Sequence, residues 1–223
     1  MHCPGSAFMV SGGRRSRGSA RLERKVATRA PKKRVVVVCE GEKTEPMYLK
    51  LVNARSESAL IELVVVDEPS TAPKQLVERA CREKKAAEKQ ARRTKDPNTN
   101  IDELWCAFDV DEHPLIREAC QQADDNGIHL AISNPCIELW LLLHFADQQG
   151  YIHRDDARRQ LQQRIKDYDK RLTTLDDLEG KFEDARDRAK KLEAKHVGDE
   201  TSFPENNPSS GMWRLVEAMQ AEY

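Results

Sequence analysis

Val35-Val36-Val37-Val38-Cys39-Glu40-Gly41-Glu42-Lys43-Thr44-Glu45 is the stretch on which the reading of the fold turns. Five apolar residues in a row, four of them β-branched, suit a strand buried on both faces, the pattern of parallel sheets. The run then breaks into three glutamates within six residues. The same transition recurs as Leu104-Trp105-Cys106-Ala107-Phe108 followed by Asp109-Val110-Asp111-Glu112. In an open α/β sheet, functional groups collect in the crevice beyond the carboxyl ends of the strands. Two strands that each release acids there predict one acidic site, whose natural occupant is a hard divalent cation.

Outward from these two runs, the pattern predicts strands over Arg34–Cys39, Leu60–Val66, Glu103–Phe108 and Ile128–Ile132. Between them it predicts helices over Glu45–Arg55, over Pro73 to Thr94 and over Pro114–Asn126, the second long and heavily charged. Gly127 is a helix-stop signal. Ser133-Asn134-Pro135 reads as a turn, with Asn134 as N-cap and Pro135 at the first helical position. The next helix, Ile137–Phe145, is apolar on nearly every side and so is expected to be buried. This alternation predicts an α/β fold: a mostly parallel four-stranded sheet flanked by helices, over residues 32–150. After Gly150, polar amphipathic helices over Arg154–Arg164, Leu175–Ala194 and Ser210–Glu222 predict a C-terminal helical region, 151–223, packed on that core.

A chain of 223 residues buries a substantial core without disulfide staples. Its 34% of charged residues points to long solvated helices around a modest core. The net charge of −1 hides an asymmetry. Residues 1–34 hold ten Lys/Arg and the single acid Glu23, so the remainder carries −10. A basic, Gly/Ser-rich arm over 1–31 is expected to be disordered, or to contact nucleic acid through Arg14, Arg15, Arg17, Lys32 and Lys33. No segment approaches the roughly 18–20 apolar residues that span a bilayer, and the N-terminus has no apolar secretory core. The expectation is a cytoplasmic protein without a membrane partner. The six cysteines form no C-x-x-C pair and read as buried reduced thiols.

The chemistry concentrates at the two strand ends. Alternate residues of extended backbone point the same way, so Asp109 and Asp111 can aim at one point. With Glu40 beside them they make three carboxylates, which repel one another unless a cation lies between. Mg²⁺, or Mn²⁺ in its place, fits such oxygen donors and could promote phosphodiester hydrolysis. Glu42 and Glu45 are candidates for supporting or helix-capping groups. Glu138, flanked by apolar residues, is a carboxylate that needs a partner and could orient the site. Ser133 and Asn134 are placed to donate to phosphate or to a metal-held water. Lys43 is a candidate contact for a scissile phosphate, and His113 lies near enough in the D-x-D-E-H turn to assist. A phosphate-cradling G-x-x-x-x-G-K-[ST] loop is absent.

The motifs Val-Val-Cys-Glu-Gly-Glu-Lys-Thr-Glu-Pro-x-Tyr (37–48), Trp-Cys-x-Phe-Asp-x-Asp-Glu-His-Pro (105–114) and Ala-Ile-Ser-Asn-Pro-Cys-Ile-Glu-Leu-Trp-Leu-Leu-Leu-His-Phe (131–145) resemble the RloB-like family. Tyr168-Asp169-Lys170 and Asn207-Pro208-Ser209-Ser210 resemble its later motifs. The resemblance implies a Toprim-like core in which Glu40 stands for the Toprim glutamate and Asp109 and Asp111 for the D-x-D pair. It implies a Mg²⁺-dependent nuclease acting on tRNA or DNA in bacterial anti-phage abortive infection, controlled by an ABC/AAA-type ATPase partner. Two other readings stay open. In one, the chain is a non-catalytic subunit whose helices Pro73–Thr94 and Leu175–Ala194 bind that ATPase. In the other, it is a sensor of nucleic acid or of a nucleotide signal through its basic arm. Assembly as a homo-oligomer is also left open.

Overall fold

The valine run forms β1 (Lys33–Glu40), and it lies inside the sheet rather than at its edge. The computed structural model describes residues 33–40, 44–55, 59–66, 72–96, 99–110, 115–166, 168 and 174–220, with backbone alone for Glu40 and for most of β2 (Ala59–Val66). β1 pairs in parallel with β2 on one side and with β3 (Glu103–Asp109) on the other. β4 (His129–Asn134) continues the parallel sheet beyond β3. Residues Pro31–Tyr223 form one compact unit. The basic arm, with Arg14, Arg15, Arg17 and Lys32, lies outside the described residues, as do Glu42, Lys43, Asp111 and His113 and the side chain of Glu40.

The mostly parallel α/β sheet is therefore observed, with one addition to the four expected strands. β5, only Ser209–Ser210, pairs antiparallel to the end of β4, giving the order β2-β1-β3-β4-β5. Gly211 then donates its N–H to Ile132 O at 2.8 Å. A Cβ there would lie 3.4 Å from the Ile132 nitrogen, at the near limit of ordinary van der Waals contact.

Period-two alternation in β1 and β3 splits the core in two. Val36, Val38, Leu104, Cys106 and Phe108 face α2 (Pro73–Thr94) and α3 (Ile116–Asp125). Val35, Val37, Cys39, Trp105 and Ala107 face the opposite layer. That layer includes α1 (Thr44–Arg55) and α4 (Ile137–Leu143), every residue of which is buried. Beyond Gly150 come α5 (Arg154–Gln162), a 3₁₀ turn at Asp176–Leu178, α6 (Phe182–Gly198) and α7 (Met212–Gln220). Their residues Leu161, Leu178, Leu192 and Leu215 join the same apolar cluster as Val35 and Trp140.

Two local expectations are corrected. Ser133-Asn134-Pro135 is not a helix-starting turn: β4 runs through Asn134, and the N-cap of α4 is Cys136, which makes no side-chain capping bond. Antiparallel pairing with Ser209 keeps Asn134 extended, and its amide donates to Pro204 O at 2.7 Å and Asn206 Oδ1 at 3.1 Å. The C-terminal boundaries also move. Leu175–Ala194 is a 3₁₀ turn followed by α6, with Gly180 at φ +70° between them, and α7 starts only after β5.

His144, just past α4, is 3% exposed and donates through Nδ1 to Trp140 O at 3.0 Å. Burial depresses its pKa from 6.5 to about 4. Between these values the unfolded chain binds a proton that the folded chain refuses, so stability falls as the pH falls through this window. The loss attributable to His144 should approach about 3 kcal/mol by pH 4. Urea unfolding at pH 7 and pH 4.5 should show a smaller drop for His144→Gln than for wild type. Equal drops would exclude His144 as a source of acid lability.

Candidate acidic site at the carboxyl edge of the sheet

β1 ends at Glu40 and β3 at Asp109, on neighbouring parallel strands. The register pairs Cys39 with Ala107, so both strands stop at the same edge. The next strand brings Ser133 level with Asp109. Val110 N–H donates to Ser133 O at 2.9 Å, extending the β3–β4 ladder one residue past Asp109.

Asp109 follows the alternation of Trp105 and Ala107 toward the α1/α4 layer, and its Oδ1 is shut off from solvent. Its charge acts on Cys136, the N-cap of α4. The Cys136 thiol is pushed far above its ordinary value by burial first, then by the carboxylates of Glu138 and Asp109. Two carboxylates thus act on one neutral thiol at the start of a buried helix, Glu138 within hydrogen-bond reach and Asp109 through its charge. Glu138 is 7% exposed and makes no ion pair among the described residues. Its Oε1 accepts a hydrogen bond from Tyr168 Oη at 3.1 Å.

Tyr168 joins two elements. Its hydroxyl lies 3.4 Å from Thr44 Oγ1, the first residue of α1, as well as bonding Glu138 in the first turn of α4. Burial raises its pKa, reinforced by Glu138 and, more weakly, by Glu45. Glu45 also acts on the Cys39 thiol, which burial principally drives up to about 12. Phenol and thiols therefore stay protonated at neutral pH. They set neutral groups beside the carboxylates, with the Lys50 charge acting on Cys39 as well.

Of the site residues expected from sequence, the fold brings Asp109, Ser133 and Glu138 to one corner, with Glu45 linked to it through Tyr168. Ser133 is buried, with its Oγ 3.2 Å from Ser210 Oγ, so a second serine lies where one was foreseen. Asn134 is turned to the Pro204–Asn206 loop. Lys33 is at the other end of β1, roughly 23 Å from its carboxyl end by strand rise, where it forms an ion pair with Glu103. Among the described residues no three His, Cys, Asp or Glu side chains are grouped to hold a metal ion. Asp109 and Glu138 supply the hard oxygen donors that suit Mg²⁺, and the chain leaving Asp109 leads directly to Asp111. Leu115, where the described chain resumes, holds a left-handed φ of +76°, a conformation costing about 1 kcal/mol or more for a non-glycine residue.

Thr44, Cys136, Tyr168 and Ser210 were not singled out for chemistry from sequence. Their signals were present only as motif letters: Cys136 within 131–145, Tyr168 at the head of Tyr-Asp-Lys and Ser210 closing Asn-Pro-Ser-Ser. Tyr168→Phe removes the donor to Glu138 and should cost about 1–3 kcal/mol, the penalty of a buried acceptor left short. Chemical denaturation checks this. An unchanged midpoint would mean that Glu138 draws its stabilisation elsewhere.

The fold and this corner define an α/β protein with a parallel sheet whose central strands end in carboxylates. A family model described as RloB-like protein matches residues 35–219, and the chain belongs to that family. Comparison with curated proteins and with solved structures found no match. Among the described residues, no helix is long and apolar enough to cross a membrane.

Proposed function

We propose that the protein is a metal-dependent nuclease with a Toprim-like site, hydrolysing phosphodiester bonds of RNA or DNA. The observation that carries this reading is the common edge at which β1 ends in Glu40 and β3 in Asp109, on adjacent parallel strands. Carboxylates gathered at strand ends, with the buried Glu138 beside them and no described cation paired to it, favour a bound divalent ion. A magnesium or manganese ion held there would polarise the scissile phosphate and activate water for attack.

The chain's own residues divide the remaining work. Asp109, fixed by the β3–β4 ladder, offers its carboxylate at the strand end. Tyr168 holds Glu138 in place by donating to Oε1, so that this carboxylate does not turn toward solvent. Ser133 and Ser210 keep a buried hydroxyl pair beside Asp109, able to orient a polar group at the edge. Control by an ATPase partner in a phage-defence setting follows from the family resemblance, and on that account the isolated chain is free to cut. Incubation of the purified protein with tRNA and with DNA, in magnesium or manganese and in EDTA, tests the reading. Metal-dependent fragments of either polymer are expected. Intact substrates throughout, from a folded protein, would sink the catalytic reading in favour of a non-catalytic subunit.

A further inference from the structure

α2 carries eight lysines and arginines against three glutamates, a net of +5, although the chain outside residues 1–34 sums to −10. The helical period sorts these charges. Leu76, Val77, Ala80 and Ala87 are buried against the sheet. The opposite face presents Lys74, Arg82, Lys85, Lys89, Arg92 and Arg93, all exposed, with the half-buried Glu78 within it and the exposed Glu88 at its margin. At 1.5 Å per residue this stripe is about 28 Å long.

A merely solvated helix alternates its charges, because opposite charges at i, i+4 stabilise and like charges repel. α2 does this on its flank, where Arg79 meets Glu83 at 2.7 Å, and at the margin of the stripe, where Arg92 reaches Glu88 at 3.9 Å. Along the far half of the stripe it does the reverse. Lys85, Lys89 and Arg93 follow one another at i, i+4, and among the described residues Lys74, Arg82, Lys85, Lys89 and Arg93 make no ion pair. The stripe also has no apolar or aromatic side chain, whereas protein interfaces are built on aromatic and apolar anchors and have few charges at their centre. A polynucleotide backbone presents evenly spaced negative charge and needs no such anchor.

We propose that the outer face of α2 is a phosphate-backbone binding surface, engaging RNA or DNA without reading its sequence. This deepens the nuclease reading by naming where the polymer is held, and it rests on that reading for the purpose of binding.

The test is binding of a fluorescent RNA hairpin and of a DNA duplex to the full chain in EDTA, across a salt series. The stripe variant is Arg82→Gln/Lys85→Gln/Lys89→Gln, which keeps good helix formers at exposed positions. The control removes three exposed lysines elsewhere, Lys166→Gln/Lys191→Gln/Lys195→Gln. The stripe variant should bind about tenfold more weakly or worse, with a salt slope shallower by roughly 3, and the control should keep most of the wild-type affinity. Equal affinities for the two variants would overturn the proposal. So would binding of polyglutamate with no binding of either nucleic acid, which would make the stripe a dock for an acidic protein. Because EDTA removes the metal, stripe-dependent binding without any metal-dependent cleavage would leave this surface standing and the nuclease reading refuted. Cleavage with stripe-independent binding would do the opposite.

Discussion

Asp109→Asn will lower metal-dependent cleavage of RNA or DNA by about 10²–10³-fold or more while leaving the fold intact. The substitution keeps the volume and removes only the charge. Loss of a single preorganised electrostatic group commonly costs two to three orders of magnitude in rate. The unfolding midpoint should change far less than the rate, because the amide keeps the shape of the side chain whose Oδ1 is buried and can still accept a hydrogen bond there. The pairing of outcomes is diagnostic: activity falls by orders of magnitude and the midpoint nearly holds. A carboxylate serving only the fold would show the converse, a fall in midpoint with proportionate loss of activity. Initial rates and urea midpoints measured on the same preparation separate the two.

The largest expected effect on stability is at Trp140→Ala. Trp140 is fully buried at the centre of α4, with edge contacts to Tyr48 at 6.5 Å, Phe182 at 6.0 Å and His144 at 4.8 Å between ring centroids. These rings come from α1, α6 and the end of α4, so the indole joins three helices at one point. Truncating such a side chain costs the transfer free energy and leaves a cavity, together about 3–5 kcal/mol. Against a total of roughly 5–15 kcal/mol for a domain, that is a large fraction. Equilibrium denaturation should show the whole unit shifting in one transition, since residues from both sides of Gly150 share the cluster around Trp140. Two separated transitions would mean that the C-terminal helices melt on their own.

The parts of this molecule legible in the sequence are those whose signal is local. The valine run and Leu104–Phe108 announce buried strands because both faces are covered, by α2 and α3 on one side and α1 and α4 on the other. The acids that follow mark the strand ends for the same reason: the chain leaves the core there. Asn134 departs from the sequence expectation because Asn-Pro before an apolar run carries the ordinary signature of a helix start. Its actual conformation is fixed by Ser209, far along the chain, in a two-residue strand with no apolar pattern to betray it. Tyr168 lies in a polar stretch between Lys166 and Lys170, so periodicity gives no hint that it is buried. Only the fold reveals that it ties Thr44 to Glu138. The same holds for Cys136, whose thiol feels both Glu138 and Asp109 although no spacing in the sequence marks it.

The central claim, that carboxylates at the carboxyl edge of the sheet hold a divalent cation, is tested most directly by titrating Mn²⁺ into the protein and following the free-ion signal by electron paramagnetic resonance. The account predicts saturable binding by wild type, loss of that binding in Asp109→Asn, and full retention in Arg82→Gln/Lys85→Gln/Lys89→Gln. Absence of binding by wild type at millimolar Mn²⁺, or equal binding by Asp109→Asn, would contradict it.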